Sequence, residues 1–284
     1  MAPTARSLIL DLLSTLRRGT MPVGALVEAG ALFGIPGNNV RVALARLLAA
    51  GHVARDERGR YRLGASAAPV ERRVRSWREL DRATRAWSAG SWIAVHHAES
   101  PASQRRADRR ERERALRFFG FRPLGPALSL RPDNLRIPVA DLRHELVALG
   151  LPAADLVARL SELDPATEQR ARSLWDSDRL RDRYRERLAE LARSEARVAG
   201  LAIEQAMVET FLLGRAIIRD LVLDPLLPPA ICRVDERQQL AEALRRYDRV
   251  GRAAWADFLK RFDVPHFGTP LDAALAGEPR RVAV

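Results

Sequence analysis

Amide and guanidinium side chains are concentrated between residues 38 and 46, at a spacing that suits hydrogen bonding to a flat polar partner. Val40, Leu44, Leu47 and Leu48 recur at helical intervals and predict an amphipathic helix that buries this side. The other side and its flank then carry six residues: Asn38, Asn39, Arg41, Val42, Ala45 and Arg46. Asparagine pairs well with adenine and arginine with guanine or phosphate, so this side could read base edges in a nucleic acid.

A charged hairpin is predicted directly after this helix. HVAR and RYRL alternate as short strands about a DERG turn at 56–59, and Arg55, Arg58 and Arg60 lie in and around that turn. Two apolar helical segments precede the turn IPGNN, where an asparagine is available to cap the polar helix. Three helices and a hairpin within 1–64 predict a winged helix-turn-helix that binds DNA. The alternative is a small helical domain whose polar side is merely solvated.

The distribution of charge favours a polyanionic partner for the first part of the chain. The net charge is +12, and 47 of the 48 basic residues are arginine, which by itself reflects composition more than phosphate binding. Residues 1–64 hold nine arginines against four acidic residues, and 65–85 hold six against three. Residues 118–284 are nearly neutral, so the positive potential is concentrated where the predicted DNA-binding elements lie.

The remaining segments predict an α+β fold that is mostly helical. Residues 65–90 resemble a basic linker whose apolar residues are spaced compatibly with a helix. Residues 91–163 alternate in the order β-α-β-β-α-β, which is the ferredoxin-like pattern. From 164 to 284 only helices are evident, and they predict a helical C-terminal domain.

Motifs for catalysis or metal binding are absent from the sequence. It contains no glycine-rich phosphate loop, no GxSxG and no HExxH. His96 and His97 are adjacent on a predicted strand and should point to opposite faces, which disfavours a shared metal ion. A single cysteine, Cys232, fits a reducing cytoplasm, and the apolar stretches are too interrupted to cross a membrane. We therefore expect a cytoplasmic protein that is not an enzyme and holds no metal or cofactor.

Six short stretches, in their order and spacing, resemble the PaaX family of bacterial transcriptional repressors. They are ARSLILDLL at 5–13, NNVRVALARLLAAGHV at 38–53, RYRL at 60–63, GSW at 90–92, FFGFRPLGPALSLRP at 118–132 and LLGRAIIRDLVLDPLLP at 212–228. The resemblance implies a winged helix, a central domain similar to a CRISPR-associated endoribonuclease, and a helical C-terminal domain. It also implies a homodimer that binds operator DNA in an aromatic-degradation operon and releases it on binding an aryl- or acyl-CoA thioester.

The effector site follows from the same resemblance. We expect Arg72, Arg73 and Arg75 to meet the phosphates of a CoA thioester, and the region of Trp87 and Trp92 to take its acyl part. The arginine-rich helix at 105–117 is better explained as a solvated, ion-paired face, with a phosphate dock as the alternative.

Two other classes of function stay open. One is an RNA-binding or nuclease-related protein that uses the central domain, although WIAVHH offers no carboxylate where the related nucleases hold their metal. The other is a helical adaptor whose basic N-terminus binds a different partner.

Overall fold

The computed structural model describes residues 2–15, 20–67, 74, 76–99, 105–233 and 235–265, and these form a mixed α+β, mostly helical structure with two small sheets. Contacts divide the chain into two units. The first unit comprises Met1–Glu71, Val198–Leu212 and Asp248–Val284, and the second comprises Arg72–Arg197 and Leu213–Tyr247. The fold class expected from the sequence, α+β and mostly helical, is confirmed.

The first unit begins with three helices and a three-stranded sheet. The elements are α1 (Ala5–Thr15), β1 (Met21–Pro22), α2 (Val23–Leu32), α3 (Gly37–Ala49), β2 (Val53–Arg55) and β3 (Arg60–Leu63). Both pairings are antiparallel, in the order β1-β3-β2. Leu8, Leu12 and Leu13 of α1 are buried because they recur on one side of that helix.

Two long helices near the C-terminal end have residues in both units. They are the last two helices in chain order, α8 (Ile203–Val222) and α9 (Asp235–Arg261). Met207 of α8, Trp255 and Leu259 of α9, and Val264 are buried in the same core as the leucines of α1. The first unit therefore has a core built from both ends of the described chain. This grouping differs from the four consecutive segments expected from the sequence, because the two helices contribute to both units.

The second unit contains a four-stranded antiparallel sheet with two helices between its strands. Its elements are β4 (Trp92–His96), α4 (Arg105–Phe118), β5 (Arg122–Gly125), β6 (Leu128–Pro132), α5 (Val139–Ala148) and β7 (Leu156–Leu160). The strand order is β5-β6-β4-β7, and Ala94 in the middle is opposite Leu130 and Ala158. The β-α-β-β-α-β order expected from the sequence is present.

The sheet of the second unit is covered on both faces. Ile93 and Val95 belong to one core with the residues of α4 and α5, whereas Trp92 and Ala94 belong to another. That second core includes Trp175, which follows the short helix α6 (Pro165–Arg172) and precedes α7 (Ser177–Val198). Successive residues of β4 join opposite cores because side chains alternate between the two faces of a strand.

The helix that the spacing within 65–90 predicts is wrong for the described residues. Ser76–Arg82 form a 3₁₀ segment with a kink at Glu79. The chain then runs beside the loop after β6, where the amide of Arg85 donates to the carbonyl of Asn134 at 2.8 Å. Trp77 and Leu80 are buried in the second unit. Contacts with other segments of the second unit thus hold this stretch in a conformation other than the α-helix that its spacing favours.

A fully buried arginine, Arg131 on β6, joins three loops of the second unit. Its guanidinium donates to the carbonyls of Phe119 and Pro225 and to the side-chain oxygen of Asn134, the last at 3.0 Å. The amide of Asn134 in turn donates to the carbonyl of Leu226 at 2.7 Å. The guanidinium therefore satisfies oxygens that would otherwise be buried without donors.

Candidate nucleic-acid interface

The helices α2 and α3 are joined by the four residues Phe33–Pro36. Gly34 has φ +71°, a backbone conformation that favours glycine. A Cβ at Gly30 would lie only 2.7 Å from a methyl of Val40, so the absence of a side chain there lets the two helices approach closely. The two helices therefore pack closely across a short turn that contains glycine.

The outer side of α3 carries all six residues that the sequence predicts there. Val40, Leu44 and Leu47 are buried and fix the rotation of the helix in the unit. The exposed residues are Asn38, Asn39, Arg41, Val42, Ala45 and Arg46. No acidic residue occurs in α3, so nothing on the helix itself repels a polyanion.

Two details of α3 differ from the sequence prediction. Leu48 is 42% exposed and does not belong to the buried side, because only Val40, Leu44 and Leu47 face the core. The predicted asparagine cap is also wrong, since Pro36 is the N-cap residue and no side chain caps the helix. Asn38 and Asn39 lie in the first turn of α3 with exposed side chains.

The loop between β2 and β3 is held by one aspartate. Asp56 accepts backbone hydrogen bonds from Arg58 at 3.0 Å and from Arg60 at 2.7 Å, and Gly59 has φ +75°. The loop is thereby fixed in one conformation, with the side chains of Arg55 and Arg58 exposed. Basic side chains on such a rigid loop beside α3 suit contacts to phosphate groups.

The C-terminal end of α9 contacts this hairpin, a contact that the sequence did not indicate. The guanidinium of Arg60 donates to the carbonyl of Asp263 at 3.0 Å, and Arg261 ion-pairs with Glu28 of α2. Asp263 has φ +50° and follows the last turn of the helix. Arg60, which we expected at a phosphate, is thus engaged within the unit and half-buried.

The predicted effector residues are only partly described. Arg72, Arg73 and Arg75 lie outside the residues that the structure describes. Trp87 and Trp92 are in contact, with their rings 5.3 Å apart, and Trp92 is also stacked on Trp175. Trp92 is fully buried, whereas Trp87 is half-buried.

Beside Trp87 lies an open depression of about 560 Å³. Its lining residues are Ser88, Ala89, Gly90, Ser91, Ser161, Glu162, Leu163, Glu168 and Arg172. Glu168 accepts from the indole of Trp92 at 2.7 Å and pairs with Arg172, whose guanidinium lies over Trp87. With two carboxylates and one guanidinium, the depression lacks the excess of basic side chains that phosphate groups require.

The arginine-rich helix α4 engages several of its charges internally. Arg109 ion-pairs with Glu113 at 2.8 Å on the exposed side, and Arg114 donates to the carbonyl of Leu149 at 3.1 Å. These contacts agree with the interpretation of residues 105–117 as an ion-paired helix face.

The end of β4 carries histidines instead of a carboxylate. His96 is exposed, and the ring of His97 lies 3.0 Å from the hydroxyl of Ser129. Burial, reinforced by the guanidinium of Arg112, lowers the pKa of His97. The nearby carboxylate of Asp155 is buried in an ion pair with Arg112. Within the described ranges no three His, Cys, Asp or Glu side chains are grouped as metal ligands.

The described helices include none long and apolar enough to cross a membrane.

Comparison with known proteins finds a family match to the N-terminal part of the chain and a solved structure that aligns with most of it. The sequence model of the PaaX family, described as PaaX-like protein, matches residues 4–67. The match agrees with the resemblance predicted from the sequence and supports a PaaX-family assignment. The solved structure of the uncharacterized protein Rv0674 from Mycobacterium tuberculosis has a TM-score of 0.54 and 25% sequence identity, and the match covers 88% of this chain and 98% of that one. No curated protein matches the sequence.

Proposed function

We propose, from the premise that this chain is a PaaX-like protein, that it is a DNA-binding transcriptional regulator and acts in the cytoplasm as a dimeric repressor. The observation that carries the proposal is the exposed side of α3, which presents Asn38, Arg41 and Arg46. Beside it, the hairpin presents Arg55 and Arg58 on a loop that Asp56 holds rigid.

The topology of each unit supports specific domain assignments. In the first unit, a helix-turn-helix followed by an antiparallel hairpin is the arrangement of a winged helix, with α3 as recognition helix and the β2–β3 loop as wing. In the second unit, the β-α-β-β-α-β order and the antiparallel sheet are those of a ferredoxin-like domain. We assign DNA binding to the first unit, and dimerisation or effector binding to the second unit.

Selection of DNA by the full chain tests the proposal. The protein is incubated with a pool of random duplexes at fixed salt, and bound DNA is amplified and sequenced. A dimer should enrich an inverted repeat with half-sites one or two helical turns apart, because the symmetry of the site mirrors that of the protein. Enrichment of no sequence, or of single-stranded RNA in a parallel pool, would contradict a DNA-binding regulator.

Substitution of two arginines should separate base recognition from phosphate contact. On the selected site, Arg46→Ala should weaken binding by about 1–3 kcal/mol and should change binding to random DNA little, since arginine on α3 can pair with guanine. Arg58→Ala should weaken binding to both DNAs and lower the slope of affinity against salt by roughly one. Fluorescence anisotropy over a salt series measures both quantities. Equal losses on the two DNAs for Arg46→Ala would remove it from base recognition.

The effector proposal is that an aryl- or acyl-CoA thioester releases the DNA, and hence that the regulated operon serves aromatic catabolism. Ligand and operator affinities must then be reciprocally coupled. Titration of phenylacetyl-CoA and other acyl-CoAs into the operator complex should lower DNA affinity for at least one of them. Trp87→Ala, at the edge of the depression, should weaken this response, whereas the exposed Arg109→Ala on α4 should not. A panel that shifts neither DNA affinity nor melting temperature would exclude this class of effector.

We further propose that the chain is not a nuclease. The related fold in nucleases holds a metal through a carboxylate at the end of its first strand, where this chain has His96 and His97. The adjacent Asp155 is buried in its pair with Arg112 and is not directed to solvent. Function on such a fold depends on its site, and this site supports no metal-dependent cleavage.

A further inference from the structure

One apolar side chain lies at the centre of the exposed side of α3. Successive residues of a helix are rotated by about 100°, so the direction opposite to Val40, Leu44 and Leu47 falls within roughly 20° of Val42. Val42 is 41% exposed. The exposed side of α3 is therefore centred on Val42.

Folding of the helix does not account for valine at this position. A β-branched residue has a lower helix propensity than alanine, and an exposed valine contributes little buried area to the unit. A single exposed apolar residue is ordinary on a protein surface. Val42, however, has Asn38 one turn before it and Arg46 one turn after it, on a helix without acidic residues. It therefore occupies the middle of a surface whose other side chains suit a polar, negatively charged partner.

The occupant that fits this arrangement is the major groove of DNA at a thymine. An α-helix fits a groove about 12 Å wide, and the C5-methyl of thymine is the apolar group that the bases expose there. Val42 and the neighbouring Ala45 offer methyl groups and no hydrogen bond, which suits a methyl partner. Asn38 and Arg46 lie about 6 Å away along the helix axis on either side, a distance of roughly two base-pair steps.

We propose that Val42 is a specificity-determining residue that recognises thymine through its C5-methyl group at the centre of each half-site. This inference rests on the proposed function and adds the identity of the central base. It predicts an A·T pair there, with adenine recognised by Asn38 on one side and guanine by Arg46 on the other.

Replacement of thymine by deoxyuridine tests the contact, because it removes only the methyl group. Each thymine of the selected half-site is replaced in turn, and the dissociation constant is measured for the full-length protein at constant salt. For the unmodified chain, one or two positions should lose about three- to tenfold in affinity. Val42→Ala should bind the thymine site three- to tenfold more weakly and should discriminate thymine from uracil by less than twofold.

Leu48→Ala provides the matched control. Leu48 is 42% exposed on the same helix but is rotated by about 100° from the centre of the exposed side. This variant removes a similar exposed apolar group and should keep the full discrimination between thymine and uracil. Circular dichroism should show unchanged helix content for both variants, since neither side chain is buried.

The outcomes separate this inference from the proposed function. A selected operator in which every thymine tolerates uracil, or in which the loss persists in Val42→Ala, overturns the role of Val42 and leaves DNA binding intact. Enrichment of no DNA sequence overturns the proposed function and the inference together. A loss of discrimination in Leu48→Ala as large as that in Val42→Ala would show a general effect on the helix and would also overturn the assignment.

Discussion

Replacing Trp255 by alanine is expected to destabilise the first unit by about 3–5 kcal/mol and to abolish the proposed binding of DNA. Trp255 is 7% exposed, packs against Phe211 and Phe258, and donates from its indole to the carbonyl of Met207 at 3.0 Å. Its loss leaves a large cavity in the core that also contains Leu44 and Leu47, the residues that fix α3. The cost is a large share of the stability of a typical domain.

Hydrogen exchange at the amides of Val40–Leu47 measures this effect in the first unit alone. Protection of these amides should fall in Trp255→Ala by the factor that corresponds to the loss in stability. Trp255→Phe is the control: it retains most of the ring packing, loses the hydrogen bond to Met207, and should cost only about 1–2 kcal/mol. Unchanged protection in Trp255→Ala would mean that α9 contributes nothing to the stability of α3.

Replacing Arg131 by methionine is expected to destabilise the second unit by about 3–5 kcal/mol, although the new side chain is apolar and of similar length. The guanidinium is fully buried and donates to the carbonyls of Phe119, Pro132 and Pro225. Without it, these oxygens stay buried and lose a donor, which costs about 1–3 kcal/mol for each one that finds no replacement.

Arg136→Met is the matched control for this substitution. Arg136 is exposed and donates to the carbonyl of Thr84 at 2.9 Å, so its loss should cost less than about 1 kcal/mol. Urea unfolding followed by tryptophan fluorescence reports mainly the second unit, which contains four of the five tryptophans, at 77, 87, 92 and 175. Equal midpoints for the two variants would show that the loops around Arg131 need no buried donor.

Local pattern was enough to predict the helix α3, its polar side and the hairpin that follows it. The polar side of α3 follows from the helical spacing of Val40, Leu44 and Leu47, and the hairpin follows from two alternating strands about a turn with aspartate and glycine. Leu48 was misplaced because it lies at the edge of the apolar side of the helix. Helical spacing alone does not show whether a residue at that edge is buried or exposed. The cap was misplaced because α3 begins at Gly37 with Pro36 as its N-cap, two residues before the first asparagine, Asn38.

Partners that are distant in sequence could not be predicted in the same way. The spacing of Trp255, Phe258 and Leu259 identifies an amphipathic helix, but an apolar side carries no information on which core it joins. The contact between Arg60 and Asp263 joins residues 203 positions apart. Likewise, Trp92 contacts Trp175 and Glu168, which come from a later helical segment that its own sequence neighbourhood does not indicate.

The core shared by Leu44, Trp255 and Val264 has a consequence for synthesis of the protein. Translation at about 5–20 residues per second requires roughly 10–40 s to proceed from the hairpin to Val264. During that interval α3 lacks the tryptophan and leucine side chains that complete its support. We expect a nascent chain stalled before residue 250 to bind operator DNA poorly. The chain would then become able to bind the operator only when α9 has left the ribosome. Incomplete chains would therefore not compete with the full-length protein for that site.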